Sequence, residues 1–399
     1  MNSRTASPSQ SIWRDLDENI FRTHLINLEE RTNAVPVDPQ LFLLPTDTDN
    51  SRKFSIDDEQ KLADAFAFLV AVEQGAQSVA AVCLEENLEE QSLVVCFAAI
   101  DTIDEYLQES LGKICGTLAV NLLHRVQFLY TKKEKPQRKV VETEIEYLAK
   151  LYECFETVPA QSDDEVSSIE NLVKASYGLC TSNSIKDYAD RLETVGPTPQ
   201  LRSAVKTLRQ IEKIAAYYRV TQTLLRASQQ YPYYFQHLEL KYLPPYAGIP
   251  TDIGYEEWAK TCHVHAEVQL VVYYDLRQKG TPVGNLLPRV IGTSKYLCYL
   301  CYLFLKSHGC YPPANTHGRL YDQWTIPDLL DMEDDIRRKY REIVRLMDEE
   351  VVEKATEKPQ WRSEPMTSRE NLLDALGDSK SIALWRRATK SNSSTSLEF

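Results

Sequence analysis

Between Gln236 and Gly309 the chain alternates short strand-like runs with helix-length apolar runs, and that order restricts it to a layered α/β arrangement. "HLELKYL" alternates polar and apolar residues with the period of a strand, and "EVQLVVYYDLRQ" is an apolar run of helix length. "PRVIGTS" is a short β-branched strand, followed by the helical "CYLCYLFLKSHG", which Gly309 is placed to stop.

Upstream the texture differs. From Asp57 to Glu193 the glycines are Gly75, Gly112, Gly116 and Gly178, and "DDEQKLADAFAFLVAVEQ" and "VVETEIEYLAKLYECFE" carry apolar residues three and four apart. A polar, disordered stretch over 1–12 followed by a mostly α-helical domain over 13–195 is therefore expected, with "TKKEKPQRK" and "VPAQSDDEVSS" as solvated loops. The "VGPTP" run, Val195–Pro199, cannot continue a helix and marks a boundary. The mixed α/β domain then covers 200–330, a charged helix 331–357, and a largely disordered tail 358–399. Just past the boundary, Arg202, Lys206, Arg209 and Lys213 form one stripe on a helix, either a solvated outer face or a docking strip for phosphate or an acidic partner.

Composition narrows the functions. With 45 Lys and Arg against 58 Asp and Glu, the formal charge of -13 repels polyanions unless a local basic patch, such as the stripe or the "TKKEKPQRK" loop, intervenes. The N-terminus lacks the apolar core of a secretory signal and no run approaches a membrane span, so an intracellular address, cytoplasmic or nuclear, without membrane association is expected. Of nine cysteines, Cys83, Cys96, Cys115, Cys154 and Cys180 are scattered among apolar residues and read as reduced core thiols, as does Cys310. Cys262, Cys298 and Cys301 lie where chemistry is expected.

Two motifs carry that chemistry: His265-Ala266-Glu267 and Cys298-Tyr299-Leu300-Cys301, each opening a predicted helix, where unpaired backbone N–H groups favour negative charge. One imidazole and two thiolates supply three tetrahedral Zn2+ ligands and leave a position open, the arrangement of a catalytic rather than a structural site. Glu267, off the metal, is the candidate catalytic acid/base. Because residues two apart point to opposite sides of a regular helix, this reading needs His265 at the very start, before the helical twist is set. A closed alternative also fits the spacing: Cys262, His265, Cys298 and Cys301 would make a purely structural zinc site in a non-catalytic interaction protein. A redox dithiol fits less well, because "YLCYLCYLFL" surrounds the cysteines with bulky apolar side chains.

The spacing of His265-x-Glu267 and Cys298-x-x-Cys301 resembles the zinc-dependent cytidine and nucleotide deaminase superfamily. More narrowly, "VHAEVQL", "RVIGTSKYLCYLCYLFLKSHG" and "THGRLYDQWTIP" resemble an OTT-type deaminase-domain family expanded in filamentous fungi, over about residues 235 to 330. The resemblance implies the α/β deaminase fold, a mixed sheet of about five strands flanked by helices, with the zinc ligands at the starts of two adjacent helices. It departs at Leu297, where the superfamily usually has proline.

The expected activity is hydrolytic deamination of a nucleobase, nucleoside, nucleotide or nucleic acid, with release of ammonia. The helical N-terminal half is the expected docking region for a protein partner. Flanking residues extend the site. His263 precedes the ligand by two positions, and Ser294 and Lys295 occupy the turn before Cys298, where a lysine neutralises a phosphate or the thiolates. In "HGRLYDQW", His317, Arg319, Tyr321 and Trp324 are suited either to stacking on and hydrogen-bonding a base or to packing an edge segment on the sheet.

Overall fold

The computed structural model describes residues 10–38, 42, 44–45, 51–71, 79–120, 147–153, 163–181, 199–256, 258–277, 284–330 and 332–361. The chain divides into two compact units, Met1–His124 with Leu224–Ser368, and Arg125–Thr223 with Arg369–Phe399. In chain order the elements are α1 (Glu18–Glu29), α2 (Ile56–Val70), β1 (Ala80–Asn87), β2 (Ser92–Ala99), α3 (Glu105–Val120), α4 (Asp163–Cys180), α5 (Pro199–Gln230), α6 (Pro232–Gln236), β3 (Leu238–Tyr242), β4 (Ile249–Pro250), β5 (Thr261–Val264), α7 (Ala266–Arg277), β6 (Asn285–Leu286), β7 (Gly292–Thr293), α8 (Tyr299–His308), β8 (Trp324–Thr325) and α9 (Asp334–Thr356).

The first unit is built on a mixed five-stranded sheet. β1 pairs antiparallel with β2, β2 pairs parallel with β3, and the short β6 and β7 both pair with β1, at Glu86↔Leu286 and Val82↔Gly292. β1 and β2 fall inside the stretch expected to be mostly helical, and that expectation is corrected here. "AAVCLEEN" and "SLVVCFAA" are buried almost throughout because helices cover both faces of the sheet, so the polar alternation that marks a one-sided strand is missing.

The two faces are readable from neighbouring residues. Glu85 meets Tyr274 and Arg277 of α7, at 3.1 and 2.6 Å, while Glu86 accepts from the backbone N–H of Lys53, close before α2. Successive strand residues point to opposite faces, so α7 covers one side and α2 the other. On the α2 side Phe66 meets Phe97 edge-on, and a Cβ on Gly292 would lie 2.2 Å from the Ala63 backbone, so only glycine lets β7 run this close to α2.

α8 is buried all round from Tyr299 to Leu305, the pattern of a central helix. It ends at Gly309, which caps it with φ +78°. α9 packs against α8 and α1 through Tyr340, Ile343, Val344, Met347 and Val351, a stripe at helical spacing. A smaller three-stranded sheet, β4-β5-β8, places β5 antiparallel to β4 and parallel to β8.

Two expected disordered stretches are partly ordered. Ile12 is fully buried in the core and its N–H reaches Asp328, and Gln360 donates to the Arg31 carbonyl at 3.0 Å. In the second unit, residues 147–153, α4 and α5 share a core of Leu148, Leu172, Leu179, Cys180, Ile211 and Ala215, with Tyr177 and Tyr218 in ring contact. Lys213 of the basic stripe is exposed; the side chains of Arg202, Lys206 and Arg209, and the "TKKEKPQRK" loop, lie outside the described residues. Among the described residues, no helix is long and apolar enough to cross a membrane.

Candidate metal centre

The centre is made where two polypeptide turns enter buried helices. His265 stands between β5 and α7, and its carbonyl accepts from the Gln269 N–H at 3.0 Å, so it caps α7 from outside the helical twist. Cys298 is the N-cap of α8, its sulfur accepting from the Cys301 N–H at 3.3 Å, and Cys301 sits in the first turn above it. One side chain thus takes the place of a capping hydroxyl and faces the imidazole.

The donor atoms of His265, Cys298 and Cys301 lie within 4.8 Å of one another. His265 Nδ1 is 3.6 Å from the Cys298 sulfur and 3.4 Å from the Cys301 sulfur. A tetrahedral ion with Zn–S of about 2.3 Å and Zn–N of about 2.05 Å has an N···S edge of about 3.6 Å, close to both N···S distances here. The imidazole and two sulfurs are also a donor set that zinc favours over hard cations. The charges agree. Burial opposes charge at Cys298, but the hydrogen bond with Cys301 and the neighbouring His265 draw its thiol well below the usual range. Burial and the Cys298 charge drive Cys301 well above it. The surroundings favour one thiolate, and a divalent cation would supply what the second needs.

Glu267, in the first turn of α7, is 3% exposed. Its Oε2 is 3.3 Å from the Cys301 sulfur, and it stands outside the three-residue metal group. Burial raises its pKa above the ordinary carboxylate value, with the Cys298 charge adding to the effect and His265 opposing it.

A strap from Thr316 to Trp324 closes over the start of α8. The Thr316 hydroxyl and the His317 N–H both donate to the Leu297 carbonyl, and the Tyr299 N–H donates to the Arg319 carbonyl, so the strap grips the chain on both sides of Cys298. Gly318 (φ +75°) is required here, since a Cβ would lie 2.1 Å from the Val35 carbonyl oxygen. The rings of His265 and Tyr321 are 6.3 Å apart, and Tyr321 meets His317 edge-on at 5.9 Å. Burial carries the His317 pKa down to about 4.

The other expected site residues separate into two groups. Arg319 and Tyr321 flank the centre and interact with each other through their side chains. Lys295 is half-buried in the turn before Cys298. Ser294 is buried and ties β7 to β1 through reciprocal bonds with Ala80. His263 lies in β5 with its ring beside Gly248, and it is not in the metal group. The four-ligand alternative is corrected: Cys262 is not in the metal group, because it precedes His265 within the regular strand, where Arg22, Glu18 and Asp322 are its charged neighbours. Trp324 is also not a stacking platform. It is 1% exposed against Phe304, and its indole N–H, which makes no hydrogen bond among the described residues, lies near enough to Cys301 to favour that thiolate.

Arg22 is a residue the sequence reading overlooked. It donates to the Asp322 and Trp324 carbonyls and pairs with Glu18, bracing the strap from α1. Its signal was legible: it lies beside Phe21 and Leu25 on the apolar stripe of an otherwise amphipathic helix.

Residues 264–328 match the family model described as OTT_1508-like deaminase. No curated protein and no solved structure matches the chain.

Proposed function

We propose that the protein is a zinc-dependent hydrolytic deaminase on an α/β deaminase fold, acting on an exocyclic amine of a nucleobase, free or within a nucleoside, nucleotide or nucleic acid. The observation that carries this reading is the trio His265, Cys298 and Cys301 with a buried carboxylate touching it from outside the metal group. Zinc held by these three residues supplies a Lewis acid that lowers the pKa of water towards neutrality.

The chain's own residues do the rest. The Cys301 thiol donates to Glu267 Oε2, so the carboxylate is placed to take that proton when the sulfur would bind a metal as thiolate. A carboxyl whose pKa is raised by burial can take up a proton and give it back near neutral pH, as required for delivery first to a ring nitrogen and then to the departing amine. His265, Cys298 and Trp324 are held by helix starts and strap, so the site needs little reorganisation during reaction. A carboxylate in this position also distinguishes the reading from a non-catalytic module, where it would be a buried charge with no use. A protein partner recruited by the helical N-terminal half remains part of the proposal.

The test is direct. Purified protein should bind about one zinc per chain; Cys298→Ser should lose it. Glu267→Gln should keep the zinc and lose ammonia release by 10²-fold or more in an unbiased nucleoside and RNA deamination screen. Retained deamination in Glu267→Gln with zinc bound would overturn the assignment.

A further inference from the structure

A second cluster of reactive side chains lies where α7, α8 and α9 contribute one residue each, and it shares none with the metal group. His308, the last residue of α8, and Asp275 of α7 are buried and joined Nε2 to Oδ2 at 2.9 Å. Lys339 of α9 brings its Nζ to 2.6 Å from the same Nε2 and to 3.4 Å from both Asp275 oxygens. One ring nitrogen cannot donate to the carboxylate and accept from the lysine at once, so one of these contacts is surplus. Lys339 is the member able to move, its side chain being 34% exposed, and its Nζ also reaches the Cys310 sulfur at 3.9 Å.

Cys310 is not the core thiol expected from the sequence. It follows Gly309, the left-handed cap that ends α8, and it is exposed, whereas the other described cysteines are buried. An accessible sulfur beside a cation is the setting in which peroxides oxidise a thiol. Among the described residues no second accessible cysteine stands ready to resolve the product as a disulfide, but a primary amine does.

We propose that Cys310 and Lys339 form a peroxide-responsive modification site, in which oxidised Cys310 is captured by the lysine amine as a sulfenamide. The sulfur attacks hydrogen peroxide: the O–O bond breaks, an S–O bond forms, the sulfur gives up two electrons, and the thiol proton leaves with the released hydroxide as water. Nζ, its ammonium proton passed to the His308 and Asp275 pair, then attacks that sulfur. An S–N bond forms, the S–O bond breaks, and the hydroxyl departs with one amine proton as a second water. Thiol, amine and peroxide thus become one S–N link and two waters, and the link ties the end of α8 to α9.

Peptide mapping of the purified full chain after exposure to hydrogen peroxide tests it. Tryptic peptides 307–319 and 339–341 should appear joined, about 2 Da lighter than their sum, and dithiothreitol should separate them. Lys339→Arg keeps a cation beside Asp275 but lacks a nucleophilic amine, so the joined species should vanish and dimedone, a probe of sulfenic acid, should label Cys310 in its place. Cys310→Ser should yield neither product. A Cys310 left unmodified by peroxide, a Cys310 carried to the sulfinic acid in wild type with no joined peptide, or a link that persists in Lys339→Arg would each overturn the proposal.

Discussion

At Cys301 the Glu267 Oε2 stands 3.3 Å from the sulfur, and the Trp324 indole lies close enough to favour the thiolate. A buried thiolate is stable only where donors or a cation offset its desolvation; the indole favours it, whereas the Glu267 charge opposes it. Trp324→Phe keeps the packing on Phe304 and removes the N–H. Zinc affinity, read by chelator competition, should fall by about tenfold to a hundredfold with little change in secondary structure; unchanged affinity would mean that the indole does not act on the sulfur. At His317 the pKa of about 4 lies below the unfolded value of about 6.5, so between these the unfolded chain binds more protons. Stability must therefore fall as pH drops from about 6.5 to 4, by roughly 3 kcal/mol from this group. His317→Gln should flatten that limb in denaturation measured across the window. The ligand types were legible in the sequence because His-x-Glu and Cys-x-x-Cys are local. Arg319 and His317 were legible as neighbours of the site, whereas the burial of Trp324 depends on Phe304, twenty positions away, and no local pattern reports it.

α8 shows how an element's ends carry function. Its N-cap is a cysteine whose sulfur both accepts the Cys301 N–H and faces His265, and its C-cap is Gly309 in the left-handed region. Capping and coordination are separable, because a serine hydroxyl caps well and binds zinc poorly. In metal-free protein, Cys298→Ser should be more stable than Cys298→Ala by about 1 kcal/mol in urea titrations, while both variants fail to retain zinc. α7 and α8 were readable as elements from their apolar length and their punctuation. β1 and β2 were not, since burial on both faces removes the alternation, and β4, β6, β7 and β8 are two residues each, defined by their partners rather than by any periodicity of their own.

Across the whole molecule the metal group ties residues 33 and 36 positions apart, His265 to Cys298 and to Cys301, inside the first unit, whose core includes α7, α8 and α9. The second unit has its own core and contributes none of the three ligands. Zinc should therefore stabilise one unit and not the other. A ligand that binds only the folded form at a thousand times its Kd adds about 4 kcal/mol, which in a unit of this size corresponds to about 8–16 °C in Tm. Treating the protein with a strong chelator should lower the transition of the first unit by that order and raise hydrogen exchange at the amides of 265–270, 298–302 and the strap, where the backbone is held by groups that also surround the metal. Exchange at Leu172 to Cys180 should be unaffected, because the helices there are packed by a separate apolar cluster. Uniform loosening of both units on chelation would contradict a metal confined to the trio, and no change at 298–302 would contradict the coordination of Cys298 and Cys301 itself.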